Sequence, residues 1–269
     1  MRRAPHLLVN TPAIEIWPAA LCRAKAGTAA RQIALAERVL RRKRDGRFLA
    51  AFGTRGLQPL LPALWHEPGL EAALTAFALL DARCPEAGAA GELPGDPVHA
   101  DNALMGLPED YAESSGLPFH AEPRLLRFAG HDRWRRVLWL LTPAARAWNA
   151  MRNAALRDGI VLEAISGYRS HDYQRGIFER KFARGLTLDE VLRVNAAPGH
   201  SEHHSGRAID LGTPGEPAAE TSFEATPAFA WLQARAGDFG FALSYPRGNP
   251  HGIDYEPWHW CWHPRRGAR

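Results

Sequence analysis

The chain has 269 residues, of which 46% are hydrophobic and 23% charged, with a formal net charge of +4. That length supports one large domain or two small ones with a substantial core, and the composition excludes disordered, collagen-like, coiled-coil and low-complexity classes. Apolar runs such as Val137–Leu141 stop after a few residues, far short of the ~18 needed for a membrane span.

From the N-terminus, a basic start is followed by apolar residues interrupted by His6, Asn10, Pro12, Glu15 and Pro18, so no cleavable signal is read and a cytoplasmic protein is expected on sequence alone. Residues 1 to about 85 are rich in Ala, Leu and Arg, and Leu70, Ala73, Leu74, Phe77 and Leu80 recur at helical spacing, which predicts a helical N-terminal region. The basic run Arg41–Arg44 follows Ile33, Leu35, Val39 and Leu40. It reads as a solvated helix C-terminus, and no nucleic-acid partner is expected. Three cysteines, Cys22, Cys84 and Cys261, are odd in number and widely spaced, so they read as free thiols.

Pro and Gly recur between Cys84 and Pro118 while the apolar periodicity lapses, which predicts a linker and a domain boundary. The expected division is residues 1–115, a helical appendix with its linker, and 116–269, a catalytic domain. Beyond it, Thr142-Pro143 opens a helix with Ala144, Trp148, Met151 and Ala155 on one face, ending at Gly159. Ile160–Ile165 reads as a buried strand, Asp172–Ala183 as a helix, and Thr187 with Glu190 as a capping box. A strand at Ala208–Leu211, a helix from Thr226-Pro227 to Phe239, and strands at Phe241–Ser244 and Trp258–Trp262 complete the reading. The fold class expected is α+β, with a small, largely antiparallel sheet flanked by helices.

The chemistry concentrates in SEHHSGRAID, residues 201–210. His203 and Asp210 would lie about 23 Å apart on a straight strand, so they share an ion only if the chain turns back at Ser205-Gly206. Imidazole and carboxylate are catalytic zinc ligands, and such a site needs three protein ligands and one open position. His259, in the aromatic-rich end EPWHWCW, supplies the third, and Glu256, kept out of the strand by Pro257, is placed as general acid/base. His204, His251 and His263 read as packed or loop histidines, and Trp258, Trp260 and Trp262 as wall and core packing.

The succession of SGYRS with Gln174, SEHHSGRAID and EPWH resembles the zinc D-alanyl-D-alanine carboxypeptidases of the VanY type, within the LAS peptidase superfamily. The resemblance covers roughly Leu117 to Trp262. It implies one Zn2+ per chain on His203, Asp210 and His259, with Glu256 as catalytic base and Arg169 as the cation meeting the substrate near its scissile end. Gln174 and Ser201 match polar contacts at the edge of the site, and Tyr168 is either a packed aromatic or a substrate contact. The implied substrate is a peptidoglycan stem peptide or precursor ending in D-Ala-D-Ala. An L,D-carboxypeptidase, a wall endopeptidase with the same site, or a non-catalytic zinc-binding envelope module are the alternatives. Exported members carry a signal or anchor that is not read here, so a cell-envelope location is expected only if the substrate reading holds.

Overall fold

The computed structural model describes residues 6–24, 27–83 and 91–264, and it divides into two compact units. The first comprises residues up to Pro94 together with Glu122–Phe128, and the second comprises Gly95–Ala121 and everything from Ala129 onward. The division therefore falls at Gly95 rather than at 116, and a short later segment returns to the first unit.

The first unit is mainly β, which corrects the expectation of a helical appendix. Strands β1 (Leu7–Asn10), β2 (Ile14–Pro18), β3 (Arg38–Arg42), β4 (Phe48–Gly53) and β5 (Gly56–Pro59) are joined by helix α1 (Gly27–Ala34) and followed by α2 (Leu70–Arg83). They form an antiparallel sheet ordered β5-β4-β3-β2-β1, and β1 also pairs with the first residues of β6 (Leu125–His131). Ile14 and Ile16 are fully buried on one face, and Glu15 and Trp17 alternate with them on the other, where Glu15 is buried as well and only Trp17 is partly exposed. Helix α2, with the periodicity expected for it, lies against β1 and β2 and buries Leu70 and Ala73 with Leu40, Leu49 and Leu64.

The basic run does not cap a helix. Arg41 and Arg42 belong to β3, where Arg41 pairs with Glu15 at 2.6 Å and Arg42 with Asp45 and Glu67 at 2.6 and 2.9 Å. Lys43 is buried and pairs with Glu122 at 2.6 Å, and the same carboxylate accepts from Asn10 at 3.0 Å. Pairing of β3 with strands on both sides overrides the helical spacing of Ile33, Leu35, Val39 and Leu40.

The second unit contains α3 (Asp96–Leu104), α4 (Tyr111–Ser115), the end of β6, β7 (Val137–Leu140), α5 (Thr142–Arg157), β8 (Glu163–Ser166), α6 (His171–Phe182), α7 (Leu188–Leu192), β9 (Ala208–Gly212), α8 (Pro227–Arg235), β10 (Phe241–Leu243) and β11 (His259–Trp262). Its antiparallel sheet runs β10-β11-β9-β8. Helix α5 buries Ala144, Trp148, Met151 and Ala155 as its periodicity predicts, and truncating a fully buried Trp such as Trp148 costs about 3–5 kcal/mol. Ser170, Thr187 and Thr226 each cap a helix by accepting a backbone N–H, and Thr187 with Glu190 completes a capping box. Strand β8 starts at Glu163, three residues later than expected, because Ile160 and Val161 precede the pairing with β9.

Trp260 is part of this unit's core, and Trp258 and Trp262 pack against it, in line with a packing role. Cys22 and Cys261 are free thiols, and Cys84 lies outside the described residues. Among the described residues no helix is long and apolar enough to cross a membrane.

Candidate metal centre and its cleft

Every residue of β9 is buried, and in its register with β11 Asp210 stands directly opposite His259. Directly opposed residues of an antiparallel pair project to the same face, so the strand pairing alone brings these two side chains together. His203 arrives by a different route. Glu202–Ser205 form one 3-10 turn, closed by Gly206 at φ 67°, a left-handed conformation that glycine takes without a Cβ clash. That turn folds His203 back over Asp210, as their separation of seven residues requires.

The His203 ring is held from the far side, with Nδ1 donating to the carbonyl of Gly167 at 2.7 Å. Gly167 has no room for a side chain, since a Cβ there would meet Leu138 Cδ1 at 2.6 Å and the Trp139 carbonyl at 3.0 Å. His203 Nε2 is buried without a hydrogen-bond partner and lies 3.3 Å from Asp210 Oδ2. His259 Nδ1 is 3.1 Å from Asp210 Oδ1. The donor atoms of His203, Asp210 and His259 all lie within 4.8 Å of one another. Two ligand atoms on one tetrahedral zinc stand about 3.3 Å apart for bonds near 2 Å, so this trio fits a single ion.

The electrostatics suit a cation. Burial, with the Arg169 charge close by, lowers the pKa of His203 to about 4 and keeps its imidazole neutral. Burial would raise Asp210, but His203 and His259 hold its carboxyl well below the usual range. Burial would likewise lower His259, yet hydrogen bonds to Asp210 and Glu202 push it up to about 10, and a metal ion held by the trio would replace the proton on this ring.

Glu256 lies in the loop before β11, its backbone N–H donating to the Tyr245 carbonyl at 3.1 Å. One carboxylate oxygen sits 3.8 Å from His259 Nδ1, and burial raises its pKa to about 7. Arg169 follows β8. Its N–H donates to the His203 carbonyl at 3.3 Å, and its guanidinium reaches Asp210 at 3.6 Å and Gln174 Oε1 at 3.5 Å. Gln174, on α6, is fixed in turn by donating to the Ala196 carbonyl at 2.9 Å.

One cleft collects Arg169, Gln174, Ser201, His203, Glu256 and His259, and its remaining wall is Val194, Asn195, Ala196, Tyr245 and Ile253. Tyr168 is not among the residues that line it; its backbone N–H donates to the Trp139 carbonyl at 3.0 Å. His204 is buried with Nδ1 on the Arg169 carbonyl, His251 bonds the Ser115 carbonyl, and His263 is exposed. Two features escaped the sequence reading. Tyr245 forms a cleft wall, and Glu202, adjacent to a ligand in SEHH, bonds His259 Nε2 at 2.9 Å.

The VanY family profile, described as D-alanyl-D-alanine carboxypeptidase, matches residues 138–265, which lie wholly within the second unit and include all three donors. The bifunctional D-Ala-D-Ala dipeptidase and D-Ala-D-Ala carboxypeptidase VanXYC of Enterococcus gallinarum is 31% identical over 141 residues, spanning 50% of this chain and 70% of that protein. The chain belongs to the VanY family. YodJ of Bacillus subtilis (strain 168) is 35% identical over 136 residues, 47% of each protein, and the D-alanyl-D-alanine carboxypeptidase of Enterococcus faecium is 32% identical over 45% of this chain and 37% of its own length. The chain thus spans about half or less of the length of these two relatives. The solved LdcB LD-carboxypeptidase is 31% identical over 48% of this chain and 61% of its own, with a TM-score of 0.45. No match to the VanY profile extends into the first unit, whose β-rich fold lies outside residues 138–265.

Proposed function

We propose that this chain is a zinc-dependent carboxypeptidase that removes the terminal D-Ala from peptidoglycan stem peptides or their precursors ending in D-Ala-D-Ala. The observation that carries the reading is the buried trio of His203, Asp210 and His259, with Glu256 beside it and Arg169 in the same cleft. A zinc ion held by the trio would supply Lewis acidity toward the scissile carbonyl and toward water.

The chain's own groups account for the rest of the reaction. With its pKa raised to about 7 by burial, Glu256 can accept a proton near neutral pH and release it again. It takes the proton of the attacking water as the new C–O bond forms, and returns it to the leaving nitrogen as the C–N bond breaks. Arg169, anchored by Gln174 and by its own backbone, offers a planar fork of donors to a terminal carboxylate. The buried cleft keeps these groups out of bulk water, where each charged hydrogen bond would be weaker.

The test is incubation of the purified chain with a synthetic muropeptide ending in D-Ala-D-Ala, with and without a chelator, and mass analysis of the products. Loss of a single terminal alanine that chelation abolishes is the expected result. Release of no residue, or cleavage that survives complete chelation, would overturn the reading.

A further inference from the structure

Among the described residues, His259 is the one member of the trio whose ring is hydrogen-bonded to a carboxylate from outside it. Glu202 Oε2 lies 2.9 Å from His259 Nε2, on the side of the ring away from Asp210. Both side chains are largely buried, His259 retaining 4% and Glu202 17% of side-chain exposure. Glu202 sits in the same 3-10 turn as His203, so one short turn carries a metal donor and the group that holds a second donor. The turn's own shape is secured independently, because Ser205 Oγ donates to the Glu202 carbonyl at 2.6 Å and accepts from the Arg207 N–H at 3.2 Å.

We propose that Glu202 is a positioning residue for the metal centre, accepting the Nε2–H of His259 and thereby fixing the tautomer and ring plane that leave Nδ1 for the ion. This inference rests on the metal centre proposed above and deepens it. An imidazole with a free second nitrogen can present either tautomer and rotate about its Cβ–Cγ bond; a carboxylate on Nε2 removes both freedoms and makes Nδ1 a stronger donor. Asp210 cannot do this itself, because it faces Nδ1 and is committed to the ion. The turn therefore couples two ligands, so that a displacement of the Glu202–Ser205 segment would disturb His203 and His259 together. On its remaining side the Glu202 carboxylate faces Cys261 Sγ and a ring nitrogen of His263, all within 4.8 Å of one another. That proximity supplies the competing role, in which Glu202 is itself a ligand of a second ion.

The test measures zinc dissociation constants by competition with a chromophoric chelator, on the 269-residue chain, for the unmodified protein and for Glu202→Ala, Glu202→Gln and Ser205→Ala. Unfolding curves of the metal-free proteins confirm that each variant folds. Glu202→Ala is expected to weaken zinc binding by roughly 10- to 100-fold, the usual effect of removing such an outer partner. Glu202→Gln, whose amide oxygen accepts the same hydrogen bond, recovers most of that loss. Ser205→Ala, which removes only the two hydrogen bonds of its own hydroxyl and keeps the Glu202 carboxylate on His259, stays within about threefold. Absorption spectra of the Co2+-substituted proteins should shift in Glu202→Ala and be restored in Glu202→Gln.

An unchanged zinc constant in a folded Glu202→Ala protein would overturn the inference while leaving the metal centre standing. Equal weakening in Ser205→Ala and Glu202→Ala would reduce Glu202 to a structural part of the turn. Two zinc ions per chain, the second lost in both Glu202→Ala and Cys261→Ala, would make it a ligand instead. Absence of zinc binding in the unmodified chain would remove both the metal centre and this inference.

Discussion

Asp210 and His259 are directly opposed residues on neighbouring antiparallel strands, with carboxylate and imidazole 3.1 Å apart. This places two of the three donors on paired strands of the sheet, while the third, His203, depends on a turn closed by Gly206. The expected consequence is a common loss of metal and an uneven loss of stability. Each of the variants His203→Ala, Asp210→Ala and His259→Ala should purify with well under one zinc per chain, as counted by elemental analysis after dialysis. Asp210→Ala should in addition leave a protonated His259 beside Glu202 with less compensation. Retention of a full zinc equivalent by all three would show that the ion lies elsewhere.

Glu256 is expected to matter for turnover and not for the ion. It lies farther from His259 Nδ1 than Asp210 does, 3.8 against 3.1 Å, and three donors already complete a catalytic site. Glu256→Gln keeps the size and removes the basicity. Zinc content should be unchanged and kcat should fall by about 10²- to 10⁴-fold. Loss of zinc along with activity, or a near-normal kcat, would reject the proton-transfer role.

Within the second unit, the turns, caps and helix faces were legible because each rests on local chemistry. Thr187 and Thr226 cap helices through their own hydroxyls as read, although Thr142 is the first residue of α5 rather than its cap, and Gly206 turns the chain where the His–Asp spacing demands it. The metal donors were legible for a related reason, since ligand type and turn chemistry both lie in one ten-residue stretch. The first unit was not. Ala50 and Ala51 in β4 are helix formers that are buried in a sheet because β3 packs against them, a partner the local sequence does not announce. The alternation of Ile14, Glu15, Ile16 and Trp17 is a strand signal that the reading of an Ala-, Leu- and Arg-rich helical region passed over. Glu202 was missed because its partner His259 is 57 residues away and only the β9–β11 register brings them together.

The buried pair Lys43–Glu122 should be costly to break and cheap to replace. Side-chain exposure is 1% and 5%, and Asn10 adds a hydrogen bond to the same carboxylate. Lys43→Met removes the Lys43 charge from beside the buried Glu122 carboxylate, which typically costs about 3–5 kcal/mol. The double variant Lys43→Met with Glu122→Leu should recover most of that loss. Urea unfolding of the single and double variants measures both, and an additive double variant would show that the two charges are not coupled.

Acid should weaken the second unit through His120. Burial lowers its pKa to about 4, partly opposed by Glu202 and reinforced by Arg207, His200 and His171. Its Nε2 is buried without a hydrogen-bond partner, and its backbone is held by the Gly199 carbonyl and by His171. An unfolded histidine takes up a proton near pH 6.5, which the folded side chain refuses until about pH 4. Stability is thus present above pH 6.5 and lost progressively as the pH falls to about 4, by at most about 2–3 kcal/mol from this one group. His120→Gln should flatten that part of the profile when urea unfolding is compared at pH 7 and 4.5. An identical pH dependence in the variant would assign the acid sensitivity to other groups.

Arg169 decides between removal of a terminal residue and cleavage inside a chain. Its guanidinium sits in the cleft that holds the trio, and its two modest contacts, 3.6 Å to Asp210 and 3.5 Å to Gln174, leave donor capacity for a ligand. Nε is buried without a hydrogen-bond partner, so the fork can accept a carboxylate without first giving up a strong bond. If that carboxylate is the free end of the peptide, amidating the substrate's C-terminus removes its charge and should cost about 1.5–3 kcal/mol, a tenfold to hundredfold drop in kcat/KM. Arg169→Ala should lose a similar factor on the free acid and show little further loss on the amide, because the interaction is already gone. Equal cleavage of acid and amide by the unmodified enzyme would instead make this an endopeptidase, with Arg169 acting on the developing oxyanion rather than on the terminal carboxylate.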